Sequence, residues 1–290
     1  MDYSWMVKYI TEFIGTALLI ILGNGAVANV ELKGTKAYKQ SWLIIAWGYG
    51  LGVMLPAIAL GNVTAQINPA FTIGLAASGF FPWAHVAQYI LAQLLGAIVG
   101  QLIVVMVYRP YYLKTENANS ILGTFSTIDA VDDNDSKTRF GAQVNGFLNE
   151  FVGSFILFFG AMGITNLFYG KELITWYTKF AAKQGANVSS TDVLNQINLA
   201  ASGTAASRAI GMVVLGFLVL VLVASLGGPT GPGLNPARDL GPRLVHALLP
   251  KSVLGEGKGD SKWWYAWVPV ISPILAALAA VALFKLIYLK

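Results

Sequence analysis

The tripeptide Asn-Pro-Ala occurs twice, as Asn68-Pro69-Ala70 and as Asn235-Pro236-Ala237. Asparagine caps a helix start well, because its side-chain oxygen accepts an otherwise orphaned backbone N–H. Proline is tolerated in the first turn, where its missing N–H breaks no bond. Each tripeptide therefore predicts a helix N-terminus, which carries about half a positive charge. Two such ends facing one passage would repel cations. The Asn68 and Asn235 amides could then donate to an oxygen moving between them. A water held by both would be poorly placed to hand a proton onward. The chemistry suggested is selective passage. As ordinary Asn-Pro turns, the two tripeptides would have no reason to stand in corresponding places.

They do stand in corresponding places. Glu12-Phe13-Ile14-Gly15 resembles Glu150-Phe151-Val152-Gly153, and an apolar run follows each. The first Glu precedes its Asn-Pro-Ala by 56 residues and the second by 85, so the second half carries a surplus of 29, which falls in the polar segment 170–208. Six apolar stretches meet the roughly 20 residues needed to cross a hydrocarbon core about 30 Å thick. They run about 9–30, 42–61, 86–108, 145–169, 209–227 and 264–285. The runs that open on Asn-Pro-Ala, about 69–79 and 236–249, span only half a bilayer and read as re-entrant segments. The expected fold is an all-α membrane protein: six transmembrane helices plus two re-entrant half-helices, as an inverted three-span repeat. One channel domain would fill 1–290, with repeats at about 1–110 and 145–290 and an insertion at about 170–208, read as an amphipathic surface helix plus coil.

Composition agrees. The AVILMFWYC set makes up 56% of 290 residues and charged residues 11%, too little polar material for a soluble skin. The net charge of +5 is scattered, which argues against a nucleic-acid patch. The chain has no cysteine and only two histidines, His85 and His246. Thiol chemistry is excluded, no metal or other cofactor is expected, and both histidines read as span-end residues. Tyr3, Trp5, Trp42, Tyr108, Tyr111, Tyr112, Trp263, Trp264 and Tyr265 suggest an interfacial belt. Lys and Arg number seven on the side of the termini and ten opposite, leaving out Arg238 and Arg243. That count by itself slightly favours external termini.

The sequence resembles the major intrinsic protein family, the aquaporins and glycerol facilitators, over nearly the whole chain except 170–208. The resemblance rests on Glu12–Gly15, Gln66-Ile67-Asn68-Pro69-Ala70, Gly123-Thr124-Phe125-Ser126-Thr127 and Asn235-Pro236-Ala237-Arg238-Asp239. It implies a homotetramer with a pore in each subunit, a bacterial inner membrane, cytoplasmic termini, and passive, bidirectional flow without enzymatic chemistry. It also places Arg238 in a narrow outer filter, where a guanidinium repels protonated species and holds hydroxyls. Glu12 and Glu150, the only acids within the six stretches, would brace the re-entrant loops; a proton relay is the alternative. The carbonyls of Thr64, Ala65, Gln66, Gly231 and Gly233 would then line the pore.

Asp239, Arg243 and Pro269 resemble the glycerol-conducting branch. Trp47 matches its filter tryptophan. Val223 and Pro232 depart from it, standing where glycerol channels have glycine and phenylalanine, and Gln66 replaces a usual histidine. The expected filter is Trp47, Val223, Pro232 and Arg238, with one apolar side and one donor side. Glycerol-type polyols and water fit it as substrates, in a lipid bilayer. Undissociated lactic acid or a similar small hydroxy acid is the alternative. A secondary transporter shares the repeat but would need an ion-coupling site. A membrane enzyme lacks a nucleophile–base cluster. A purely structural protein would show no solute flux.

Overall fold

A computed structural model describes residues 3–132, 135–169, 190–231 and 233–288. Helices account for all regular structure among them. In chain order they are α1 (Trp5–Glu31), α2 (Leu43–Leu60), α3 (Pro69–Ala77), α4 (Val86–Tyr112, entered through a 3₁₀ turn at Trp83–His85), α5 (Ala118–Gly123), α6 (Arg139–Tyr169), α7 (Ser190–Thr230), α8 (Pro236–Leu248), α9 (Lys251–Leu254) and α10 (Val268–Tyr288). Six of these, α1, α2, α4, α6, α7 and α10, contain stretches long and apolar enough to cross a membrane; in α7 that stretch is Arg208–Thr230. The half-helices α3 and α8 are 9 and 13 residues long.

One helix begins well before its membrane-spanning stretch. Residues 190–208, read from sequence as part of a polar insertion, form the beginning of α7. No proline stands between Ser190 and Gly228 to stop the helix, and the run is rich in good helix formers such as alanine and leucine. The remainder of that insertion, 170–189, lies outside the described residues.

The packing repeats itself. α1 lies against α2 and α4, and α6 lies against α7 and α10. α2 and α7 pack on each other and join the halves. Each half-helix is clasped by the other half: α3 rests on α10, and α8 rests on α4. Small residues permit the closest crossing. A Cβ on Gly96 would lie 2.2 Å from the Phe13 carbonyl oxygen, and one on Gly100 would lie 2.6 Å from that of Ala17. α4 therefore meets α1 backbone to backbone. The outer faces stay apolar, with Leu51, Leu55, Leu91, Leu95, Leu148 and Val152 exposed. Such a girdle requires hydrocarbon or another protein against it.

Residues expected at span ends are partly interior. Tyr112, Tyr265 and His246 are fully buried. The Tyr112 hydroxyl shares a 2.6 Å hydrogen bond with Thr124 Oγ1. His246 Nδ1 lies 2.7 Å from Ser261 Oγ, with Phe125 edge-on to the ring. Thr124 and Phe125 lie against Tyr112, Phe125 and Ser261 lie against His246, and Tyr265 is inserted against Gly146 of α6. His85 does sit at the start of α4, stacked on Trp5.

A methyl group at position 96 has no room. Gly96→Ala should destabilise the protein by about 1–3 kcal/mol through forced helix separation. Gly163→Ala, where a Cβ meets nothing within 4 Å, should leave it as stable or slightly more stable, alanine being the better helix former. Thermal unfolding in detergent, followed by circular dichroism, compares the two.

Candidate functional site

Both half-helices start in the same way. Asn68 (φ −154°, ψ 115°) and Asn235 (φ −154°, ψ 111°) are extended N-caps. Asn68 Oδ1 accepts from the Ala70 N–H at 3.0 Å. Asn235 Oδ1 accepts from Ala237 at 3.0 Å and Arg238 at 3.2 Å. The side-chain nitrogens reach across to the opposite loop. Asn68 Nδ2 donates to the Leu234 carbonyl at 2.9 Å, and Asn235 Nδ2 donates to the Ile67 carbonyl at 2.7 Å. An amide nitrogen has two hydrogens. In each asparagine the second hydrogen is not used by these bonds.

The residue before each asparagine pays a conformational cost. Ile67 (φ 45°) and Leu234 (φ 57°) have left-handed backbones, disfavoured for a side chain with a Cβ by about 1–2 kcal/mol. Glutamates hold them. Glu12 Oε2 accepts the Ile67 N–H at 2.7 Å and Gln93 Nε2 at 2.8 Å. Its Oε1 accepts the Gln66 N–H at 2.8 Å and Thr64 Oγ1 at 2.7 Å. Glu150 Oε2 accepts the Leu234 N–H at 2.6 Å, and its Oε1 accepts Thr230 Oγ1 at 2.9 Å. Both glutamates are fully buried, and every partner is a donor, the set that a carboxylate serves as acceptor. Gly233 lets Glu150 approach: a Cβ there would stand 2.2 Å from Oε1.

A chamber of about 50 Å³ is lined by Asn68, Gly233, Leu234, Asn235 and Arg238 together with Leu19, Tyr49, Val53, Leu157, Val219 and Val223. A wider cavity of about 430 Å³, lined by Glu31, Trp42, Asn119, Asp129, Thr230 and Gly231 among others, also reaches Arg238. Arg238 is the one side chain common to the two. Its Nη1 donates to the Phe125 carbonyl at 2.8 Å, its Nη2 donates to the Tyr49 hydroxyl, and its Nε has no partner among the described residues. Asp239 and Arg243, the next charges along α8, form a buried 2.8 Å ion pair. Asp239 also accepts from the Thr127 N–H at 2.7 Å, and Arg243 donates to the Ser261 and Thr127 carbonyls at 2.7 Å each. The pair thus pins both covering loops to α8, with the extra hydrogen bonds that a buried pair needs.

The expected filter is brought together only in part. Val223 and Arg238 line the chamber. Pro232 lies outside the described residues. Trp47 does not join them: it is 46% exposed and packs edge-on against Phe217 on the outer face. Tyr49, 3% exposed, occupies the inward position. The phase of α2 follows from its glycines. Gly48 abuts Ala26 of α1 and Gly50 abuts Leu220 of α7, so residue 49 points between those helices. Two residues away on a helix is about 200° of rotation, which turns Trp47 outward. The glycines flanking Tyr49 were the available signal. Of the expected carbonyl ladder, Gly231 borders the outer cavity and Gly233 the chamber. The Gly231 oxygen already accepts the Gly233 N–H at 3.0 Å. Thr64, Ala65 and Gln66 form the loop held by Glu12, and the Gln66 side-chain oxygen is buried without a partner.

Six membrane-length helices enclosing two half-helices that meet start to start define a polytopic membrane protein of the two-half-helix type. The chain belongs to the major intrinsic protein family, whose profile matches residues 2–172 and 193–284. It is 75% identical, over the full length of both chains, to the glycerol facilitator-aquaporin gla of Lactococcus lactis subsp. lactis. It is 42% identical, over 99% of both chains, to the glycerol uptake facilitator protein-like 5 of Lactiplantibacillus plantarum. The X-ray structure of the aquaglyceroporin from Plasmodium falciparum superposes with a TM-score of 0.68 at 23% identity, covering 98% of this chain and 97% of that one.

The two glutamates carry unequal loads. Glu12 has four donors and Glu150 two among the described residues. Each buried donor left without an acceptor costs about 1–3 kcal/mol. Glu12→Ala should therefore reduce the yield of folded, monodisperse protein more than Glu150→Ala, as size-exclusion chromatography in detergent reads directly.

Proposed function

We propose that the protein is a passive transmembrane channel for glycerol-type polyols and water that excludes protons and ions. One observation carries this reading: two asparagine amides, each with a spare N–H, and one buried guanidinium border the same small chamber. The rest of its lining is mostly aliphatic and aromatic. A polyol has a hydroxyl edge and a carbon edge, and it matches such a chamber face to face. The half-helix N-termini and Arg238 add positive potential where a hydronium or metal cation would have to pass. No bond is made or broken, so the protein works as a facilitator and not as an enzyme. The names of its relatives in Lactococcus and Lactiplantibacillus support glycerol as the solute.

In this reading Val223, Arg238, Asn68 and Asn235 are the residues a solute meets. Pro69, Ala70, Pro236 and Ala237 start the half-helices that aim the amides. Glu12 and Glu150 hold the loops. The chain acts as a homotetramer in a bacterial inner membrane with its termini in the cytoplasm. The apolar outer faces supply the surfaces for lipid and for neighbouring subunits.

Swelling of proteoliposomes in isosmotic glycerol tests the substrate, with lactic acid at acidic pH run in parallel. Glycerol entry should far exceed that of empty vesicles and should not saturate. Fast acid entry with slow glycerol would contradict the assignment. Arg238→Val should raise the proton leak, read with a pH dye inside the vesicles; an unchanged leak would remove Arg238 from the barrier. Since the chain has no cysteine, mercurials should not block the wild type.

A further inference from the structure

Trp42 reads from its type as an interfacial residue, but the structure turns it inward. It stands just before α2, half-buried, and its indole Nε1 donates to the Val223 carbonyl of α7 at 2.8 Å. Gly227, one turn further along α7, makes room for the ring: a Cβ there would lie 2.8 Å from the indole Cζ2. Trp42 also packs against the buried cluster that holds Val27, Val30 and Val223. The indole is therefore fixed twice, by a hydrogen bond and by a glycine slot.

What surrounds the indole gives it a use. Trp42 and Arg238 line the same 430 Å³ cavity, and Trp42 is the one aromatic side chain among its described lining residues. Polar side chains such as Asn119, Ser120, Thr127 and Asp129 share that lining. The chain has no Phe, Tyr or Trp from 218 to 262, so residues 228–231, which also border the cavity, bring no ring with them. An indole has one donor and no acceptor. That donor is taken by Val223, which leaves Trp42 only an apolar face to offer. The Val223 side chain lines the 50 Å³ chamber while its carbonyl holds Trp42. The indole thus stands beside the step from the wide cavity into the chamber. A polyol making that step sheds water; polar groups and Arg238 can take its hydroxyls, and an aromatic face can cover its carbons.

Resting on the channel reading above, we propose that Trp42, locked onto Val223 and Gly227 of α7, is a specificity-determining residue at the outer cavity: it receives the carbon edge of a polyol as the solute enters the chamber. Its contribution is apolar contact and not width, because the cavity it lines is several times larger than the chamber beyond. Trp42 therefore favours solutes with a carbon edge, such as glycerol, over solutes of similar size that are polar all round, such as urea. Gly227 acts through Trp42 by leaving the ring its place.

The test uses the full chain in liposomes, with glycerol and urea permeabilities measured on each preparation. Their ratio is insensitive to how much protein is folded, so a merely structural role would not move it. Trp42→Leu removes the aromatic face and the Val223 bond together. The glycerol-to-urea ratio should fall about fivefold, the equivalent of roughly 40 Å² of apolar contact. Trp42→Phe keeps a ring and loses the bond, and should lower the ratio by a smaller factor. Gly227→Ala leaves Trp42 in the chain but displaces its ring, and should shift the ratio in the same direction. Trp47→Leu, on the outer face, should leave the ratio at the wild-type value. If Trp42→Leu does not assemble, Trp42→Phe and Gly227→Ala decide. A wild-type ratio in the Trp42 and Gly227 variants overturns the proposal. So does a higher ratio in Trp42→Leu, which would mean that the indole merely narrows the mouth. A wild type without glycerol flux overturns the channel reading itself, and this assignment with it.

Discussion

The Ile67 and Leu234 peptide units are each gripped from both sides. A buried glutamate takes the N–H, Glu12 for Ile67 and Glu150 for Leu234, and an asparagine of the opposite half donates to the carbonyl. These grips hold a left-handed backbone that neither side chain would choose. Left alone, each unit would relax toward an extended form, and the asparagine after it would lose its cap geometry. The half-helix would then point elsewhere. The rest of the interior depends on this reciprocal arrangement, because each loop supplies an acceptor for the asparagine of the other half. Neither half can form its site alone.

Helix ends and charges then act in series. The caps leave one N–H on each asparagine unused, and α8 places Arg238 one turn further along, where it lines both the chamber and the wider cavity. The Asp239–Arg243 pair is buried one step behind and ties α8 to Thr127 and Ser261. Two arginines of one half-helix thus have opposite fates. Arg243 is neutralised by a carboxylate and anchors loops. Arg238 is held by neutral groups and retains its field. In the proposed channel, that contrast within five residues would let a short helix serve both as a fixed post and as an electrostatic barrier.

Much of this was legible in the chain. Asn-Pro punctuates a helix start whatever surrounds it, and an apolar run too short to span cannot be an ordinary transmembrane helix. The repeated Glu-Phe-x-Gly placed the acids at matching depths. The inward face of α2 was not legible in the same way. That helix is apolar almost all round, so periodicity carries no information about which side is buried. Trp47 looked like a filter residue by type, while the phase was set by Gly48 and Gly50 and turned Tyr49 inward. The burial of His246, Tyr112 and Tyr265 depends on segments distant in the chain packing against them, which is a tertiary matter that local patterns do not encode. The helical start of α7 was expected only as a surface helix within the 170–208 insertion, because its polar residues hid the continuity with the following span that the lack of a breaker allows.

The account stands on a passage that runs from the outer cavity past Arg238 to the two asparagines. The most direct measurement is an experimental density map of the purified protein in lipid with glycerol present. The account predicts ordered solute or water density within hydrogen-bonding distance of Arg238 and of both Asn68 Nδ2 and Asn235 Nδ2, with Tyr49 beside it. Side-chain density closing the space between Arg238 and the asparagines, with solute found only elsewhere, would contradict it.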